Sequence, residues 1–301
     1  MSFTYPVYVP SIEKFIHFRE LLNKHYIVVL KFLANSDNSR SENYLNQLID
    51  ELNDEITHDQ LNKVDKLCVL LTIRIMSIGP ELELTMTCDK TQQQYTGKIE
   101  LINIIQMISD LQLIKTHVFD MENDIKIHAG IPSNLCYDKT IDLLDLLTDV
   151  ICGITVKDEY FSMSDMSVQQ KSDIIDHVHG LNFSSILKIA RESQQSFSDL
   201  IIFEDKSPHD EQAQVNEYTL SLYDNTMFDL IKLCYSSNLN NYYMSMYTLC
   251  NTMGFTADYI QNITPIESNI YISQQQQDIK RQADEQKKSN PTIGGGLPSG
   301  F

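Results

Sequence analysis

Residues 57–101 read THDQLNKVDKLCVLLTIRIMSIGPELELTMTCDKTQQQYTGKIEL, and this stretch decides the fold class. Leu61, Val64, Leu67, Cys68, Leu71, Ile75 and Ile78 recur at steps of three and four, which predicts an amphipathic helix with one face on a core. Thr57 and Gln60 form a capping-box start, and Gly79-Pro80 is a strong stop. Directly afterwards Leu82, Leu84, Met86 and Cys88 alternate with Glu81, Glu83, Thr85 and Thr87, the pattern of a half-buried antiparallel strand. The polar run Asp89–Gln94 reads as a turn and Tyr95–Leu101 as the returning strand. Helix, stop and hairpin make a scaffold element of an α+β fold, with nothing catalytic in it.

Working outward, Tyr5–Val9 and Lys14–Arg19 read as two short strands separated by Pro10, followed by helices over Asn23–Leu33 and Glu42–Leu52 with a polar loop, Asn35–Ser41, between them. Ile102–Leu113 closes this first unit as a helix. A second unit combines a strand, Asp124–His128, an apolar helix, Thr140–Ile151, and an αα-hairpin. The hairpin's first helix starts at the Ser167–Gln170 capping box and ends at Gly180; its second runs over Phe183–Glu192 under an Asn182 cap. Glu204–Gln214, polar and holding Pro208, reads as a linker. Beyond it lie three helices, Met227–Tyr235, Asn241–Cys250 and Ala257–Ile263. Thr264-Pro265-Ile266-Glu267 then caps a helix that runs through the glutamines 274–277 and the charged stretch Asp278–Lys288. The last residues, SNPTIGGGLPSGF, lack any apolar period and are expected to be a flexible tail. The fold class is therefore α+β, predominantly helical, with small antiparallel hairpins and a C-terminal helical extension. Its expected units are 1–113, 114–205, 206–270 and 271–301.

The 301 residues are 42% hydrophobic and 21% charged, with 41 acidic against 23 basic side chains and a net charge of −18. Such a balance argues against nucleic acid as a partner, because phosphate binding needs a Lys/Arg-rich face. It favours partners that carry basic patches. Cys68, Cys88, Cys136, Cys152, Cys234 and Cys250 show no CxxC and no regular framework, so they read as buried apolar residues in a reducing compartment. The first residues, MSFTYPVYVPSIEKF, do not have the layout of a signal peptide, and no apolar run reaches the roughly 20 residues of a membrane span. No membrane partner is expected.

Searches for chemistry find little. His177 and His179 point to nearly opposite sides of a helix and cannot chelate one ion together. His58-Asp59 has no further ligands at metal spacing. No nucleophile elbow, Walker loop or dinucleotide fingerprint occurs, and Glu81 and Glu83 sit on a solvent face. We therefore expect no enzyme, no cofactor, no metal site and no catalytic residue. The cluster Tyr242, Tyr243, Met244, Met246 and Tyr247 is the one segment whose composition suggests recognition. Core packing and a cofactor pocket are the other readings of that cluster. In the tail, Ile293, Leu297 and Phe301 are isolated apolar residues suited to folding onto a partner, the alternative being an inert terminus.

LCVLLTIRIMSIGPELELTMTCD followed by TGKIEL resembles the signature region of the baseplate hub and central-spike protein family of T-even-type contractile-tailed bacteriophages. VYVPSIEKFIHFRELLNKHY is similar to that family's opening, and MSDMSVQQKSDIIDHVHGLNFSSILKIA to its later helix pair, so the resemblance covers about residues 5–200. Cys88 has no near partner after the turn, and no zinc-binding staple is carried over. The C-terminal part is similar to the end of tail-assembly chaperones that hold a tape-measure protein. The resemblance implies a hub subunit or assembly factor acting by protein–protein contact with baseplate hub and tape-measure proteins, in the host cytoplasm or the virion tail. A permanent virion component without a chaperone role, and a cytoplasmic host-directed binding protein, are the alternatives.

Overall fold

Tyr5, Val7 and Val9 face the interior together with Ile16 and Phe18, which folds the first residues into the hairpin β1 (Thr4–Val9) and β2 (Lys14–Arg19). The register runs from Thr4 opposite Arg19 to Val9 opposite Lys14. In the computed structural model the described residues are 3–35, 37–88, 90–111, 116–121, 124–137, 143–163, 166–178, 180–205, 215–236 and 239–289. Helices α1 (Asn23–Leu33) and α2 (Asn38–Leu52) follow and pack on each other. α2 begins earlier than its apolar period suggests, because the Asp37 side chain accepts from the Arg40 amide at 3.0 Å and caps it.

The next helix, α3 (Lys63–Ser77), corrects two expectations. Thr57 and Gln60 do form a capping box, but it closes only the 3-10 turn His58–Gln60. The chain extends again at Leu61, and Asn62 caps α3 by accepting from the Val64 and Asp65 amides at 2.9 Å each. Burial also extends around the helix instead of following one stripe: Val69, Leu70 and Ile73 are as inaccessible as Leu67 and Leu71, whereas Ile75 and Ile78 are only half-buried. Only Met76 of this helix is exposed, and a helix enclosed on its other sides shows no clean amphipathic period.

Gly79, at φ 139°, turns the chain out of α3 into β3 (Glu81–Thr87), which pairs with β4 (Gln94–Glu100) from Glu81 opposite Glu100 to Thr87 opposite Gln94. The expected alternation holds, with Leu82 and Ile99 buried and Glu81, Glu83, Thr85 and Thr87 exposed. α4 (Leu101–Ser109) then packs against α3.

A four-stranded antiparallel sheet comes next, in the order β5 (His117–Asp120), β6 (Ile125–Ala129), β7 (Ile151–Val156), β8 (Glu159–Ser162). Of these only β6 is evident in the sequence pattern. α5 (Leu143–Val150) passes into β7 without a breaker, so its apolar run reads as one helix through Ile151. Between β7 and β8 the hairpin turns on Lys157 and Asp158, with φ 48° and 69°, in place of the Asn-Gly pair that signals such a turn. α6 (Val168–Asp176) has the expected Ser167 capping box. α7 (Gly180–Ser198) starts before Asn182 and runs past Glu192, so Gly180 and Asn182 lie inside a longer helix. The Asn182 amide donates to the Met121 sulfur at 3.0 Å and does not cap the helix. β9 (Ile201–Asp205) pairs with β10 (Asn216–Thr219), which puts Glu204 and Asp205 in a strand; residues 206–214 of the expected linker lie outside the described residues.

The buried apolar residues form two clusters. The larger joins β1, β2, the first four helices and the β3–β4 hairpin with Leu220, Leu222 and the buried face of α8 (Thr226–Tyr235). The smaller lies between the four-stranded sheet, α5 and α6. α7 bridges them, placing Ile186 and Ala190 in the smaller cluster and Phe197 in the larger.

Helix α3 also carries buried charges. Lys63 Nζ donates to the Leu222 and Asp224 carbonyls at 3.0 and 2.7 Å and lies 4.6 Å from the centre of the Tyr137 ring. Lys66 Nζ donates to the Ser133 carbonyl at 2.9 Å. Asp65 accepts from the Ser11 and Asn62 amides at 2.9 and 3.0 Å. Arg74 donates to the carbonyls of Cys234, at 2.7 Å, Gly79 and Glu81. On the facing side, Glu42 of α2 accepts from the amides of Leu135 and Cys136 at 2.5 and 3.1 Å. Buried charges persist when hydrogen-bonded in this way, and here most of the partners are backbone groups of loops that need to be held.

Two outcomes are expected. Burial pushes the Lys63 ammonium from 10.5 down to about 8. Above pH 8 the folded chain loses this proton first, the unfolded chain holds more protons, and stability attributable to Lys63 rises with pH until about 10.5. Denaturant titrations at several pH values should show the wild type gaining on Lys63→Met by up to ~3 kcal/mol across that window, whereas parallel profiles would refute it. Separately, a Cβ at Gly153 would stand 2.6 Å from the Phe161 carbonyl oxygen across the β7–β8 pair. Gly153→Ala should therefore destabilise by about 1–3 kcal/mol, seen as a lower Tm.

Candidate partner-binding surface

The sequence around Tyr242 becomes α9 (Leu239–Asn251), followed by α10 (Ala257–Gln261) and α11 (Pro265–Ser289). Start signals are as expected: Thr256 caps α10 by accepting from the Tyr259 amide at 3.2 Å, and Thr264 and Glu267 form a reciprocal box around Pro265. α9 packs on α1, α10 and α11.

One buried side chain ties these helices to the body. Asn23, at the start of α1, donates from Nδ2 to the Ile260 carbonyl at 2.9 Å and to Ser268 Oγ at 2.7 Å. Its backbone amide donates to the Ile263 carbonyl at 2.9 Å, and its own carbonyl accepts from the Tyr242 hydroxyl at 3.3 Å. A single residue thus bonds to α9, α10, α11 and the segment between the last two. Nothing local announces this role in the sequence, because the partners lie more than 200 positions away.

Helical geometry divides the Tyr/Met cluster. Tyr242 is buried, edge-on to Tyr26 at 6.1 Å between ring centres, and burial pushes its hydroxyl up to about 12. Met246, four residues on, packs half-buried against the larger core. Both belong to the attachment, so the core reading holds for them. Tyr243, Met244 and Tyr247 point the other way and are 51%, 60% and 63% exposed. Large apolar side chains standing this far out on one helix face are what an adaptable contact surface presents. Ile293, Leu297 and Phe301 lie outside the described residues.

Near them is an aromatic group that the sequence period does not reveal. Phe255 lies 5.2 Å from Tyr259 and 5.0 Å from Tyr271, and the two tyrosine hydroxyls are 3.2 Å apart. The three come from a loop, α10 and α11, so no single periodic segment contains them. Tyr259 and, on α11, Ile270 are exposed.

A cleft of about 1310 Å³ lies elsewhere, between the turn after β1 and the β7–β8 pair, with Tyr8, Ser11, Asn62, Ile131, Tyr160 and Lys171 among its walls. Asp59 also lines the cleft, and next to it His58 is held between two carboxylates, Nδ1 2.7 Å from Asp50 and Nε2 3.1 Å from Asp59. His177 Nδ1 is 2.6 Å from the Asp173 carbonyl, and His179 lies outside the described residues. Among the described residues no group of three His, Cys, Asp or Glu is placed to hold a metal ion. All six cysteines are free thiols, four of them buried, and no described helix is long and apolar enough to cross a membrane.

The fold defines a helix-rich α+β scaffold built on a buried central helix, with an exposed apolar face on a C-terminal helical attachment. A family model described as T4 bacteriophage base plate protein matches residues 2–215, and the chain belongs to that family. It is thus a T4-type phage baseplate component of the virion tail, whose contacts are with other baseplate proteins. Searches of curated proteins and of solved structures found no match. The helices α9 to α11 lie beyond the matched residues.

Asn23→Leu should leave the Ile260 carbonyl and Ser268 hydroxyl without their donor, at a cost of about 1–3 kcal/mol. Limited proteolysis should then cut between α9 and α11 first, with residues 3–235 still resistant. Unchanged protease resistance of the C-terminal helices would show that Asn23 does not hold them.

Proposed function

We propose that this baseplate component is a hub subunit that also serves hub assembly, binding the tape-measure protein through its C-terminal helices during tail assembly in the host cytoplasm. The folded body from β1 to α8 docks to hub components. The outward face of α9 takes a long helical partner. The observation that carries this reading is the placement of Tyr243, Met244 and Tyr247: exposed together, on a helix pinned to the body through Tyr242 and Asn23. Tyrosine and methionine supply large, adaptable contact area, the composition found at interface cores. The net charge of −18 suits a partner surface with basic residues.

α8 is part of the larger core, with Met227, Phe228, Ile231 and Tyr235 inaccessible, so deleting everything after 215 would dismantle the body as well as the contact surface. Substitution on the exposed face is the cleaner test. Full-length chain carrying Tyr243→Ser, Met244→Ser and Tyr247→Ser should keep its circular dichroism and Tm. It should recover at least about tenfold less tape-measure protein from infected cells than the wild type does. Equal recovery would remove α9 from the proposal. The family's description as a base plate protein favours lasting residence in the particle over departure after assembly. Mass spectrometry of purified virions distinguishes the two, since a departing chaperone is absent from them.

A further inference from the structure

α11 is held by the body along its first half alone. Ser268 is buried, and Ile272 and Gln275 are half-buried, whereas every residue from Gln276 through Gln282 is exposed. Ser268, Ile272 and Gln275 lie four and three residues apart, and the same steps continue to Ile279 and Gln282. This 4-3-4-3 spacing is that of a coiled-coil seam, with the apolar Ile272 and Ile279 at one core position and the polar Ser268, Gln275 and Gln282 at the other. The stripe that seats α11 on the body thus runs on past the body's edge, where Ile279 stands 57% exposed. Residues 276–289, taken alone, are about as short as the shortest helices that persist in water, and they are mainly polar.

We propose that the distal half of α11 is one half of a heterologous coiled coil, the other half being an α-helix of a partner protein with Lys or Arg flanking its apolar seam. In this register the flanking positions next to Ile279 are Asp278 and Glu285 on one side and Gln276 and Ala283 on the other. The basic residues Lys280 and Arg281 fall on the outer face. Arg281 reaches back to Asp278 at 3.3 Å, an exposed pair that a partner cation can replace. A second copy of this chain is a poor occupant. Antiparallel pairing sets Asp278 and Glu285 against carboxylates, and parallel pairing sets Asp278 against Ala283. A Lys- or Arg-flanked helix meets both carboxylates with opposite charge. The inference rests on the reading that the C-terminal helices hold a helical partner, and it assigns that partner's chemistry and its seat.

The test uses full-length chain and a synthetic peptide of about four heptads with Leu at both seam positions and Lys at both flanks, against the same peptide with Glu flanks. Fluorescence anisotropy should show the Lys-flanked peptide binding at least about tenfold more tightly than the Glu-flanked one. Ile279→Asp should remove that binding, and Ile102→Asp, an exposed apolar residue on α4, should not. Equal binding of the two peptides, or binding indifferent to Ile279→Asp, overturns the proposal. So do concentration-dependent dimers that Ile279→Asp abolishes, since they assign the seam to a second copy. Recovery of the tape measure from infected cells separates this inference from the reading beneath it. If Ile279→Asp recovers as much as wild type, the half-site is wrong and the wider reading stands. If the wild type recovers none yet binds the Lys-flanked peptide through Ile279, the half-site stands and the wider reading falls.

Discussion

Helix α3 can occupy the centre of the larger core only because its charged side chains end on partners they can satisfy. Lys63, Lys66 and Arg74 carry their cations to the carbonyls of segments around Leu222, Ser133 and Cys234, and Asp65 takes the amide of Ser11. Leu222, Ser133 and Ser11 lie in connections between elements, and Cys234 lies in the last turn of α8. An irregular connection lying over a core has donors and acceptors that water no longer reaches, and a charged side chain from the central helix supplies what is missing. The apolar residues of α3 provide the attraction, and its charges specify which loop lies where. Removing one partner leaves an uncompensated group inside, so the loops and the helix hold their arrangement jointly.

This arrangement explains how segments far apart in sequence become one body. Residues 131–136 and 220–235 lie beyond the central hairpin in sequence, yet they pack in the same cluster as β1 and α3. α7 carries the connection to the smaller core under the four-stranded sheet. The C-terminal helices are joined differently, through the hydrogen bonds of Asn23 and the half-buried Tyr/Met side of α9. Such an attachment leaves the opposite face of α9 and the far end of α11 exposed.

Much of this architecture was legible along the chain. The β1–β2 and β3–β4 hairpins, α1, α8 and α9 follow from alternation or three-and-four spacing. Ser167, Thr264 and Gly79 mark element ends by capping and backbone chemistry that act over a few residues. The four-stranded sheet was mostly hidden, because β7 continues the apolar run of α5 and the β7–β8 turn uses Lys157-Asp158. Thr57 and Gln60 illustrate a related limit: a capping box shows that a turn begins, and whether the turn grows into a helix depends on what packs against it. In the Tyr/Met cluster, composition suggested a contact surface for all five residues. Helical geometry leaves only Tyr243, Met244 and Tyr247 facing solvent.

The sequence by itself determined the fold class, the family and most of the local elements, since these depend on periodicity, capping and signature patterns that neighbouring residues carry together. Tertiary structure alone decided that α3 is enclosed on several sides, that its lysines clamp distant loops and its arginine the end of α8, and that Asn23 holds the C-terminal helices. It also decided which members of one tyrosine-rich helix face solvent. Burial and hydrogen-bond partnership are properties of pairs of residues brought together from distant parts of the chain, and such pairings have no period along the chain to read.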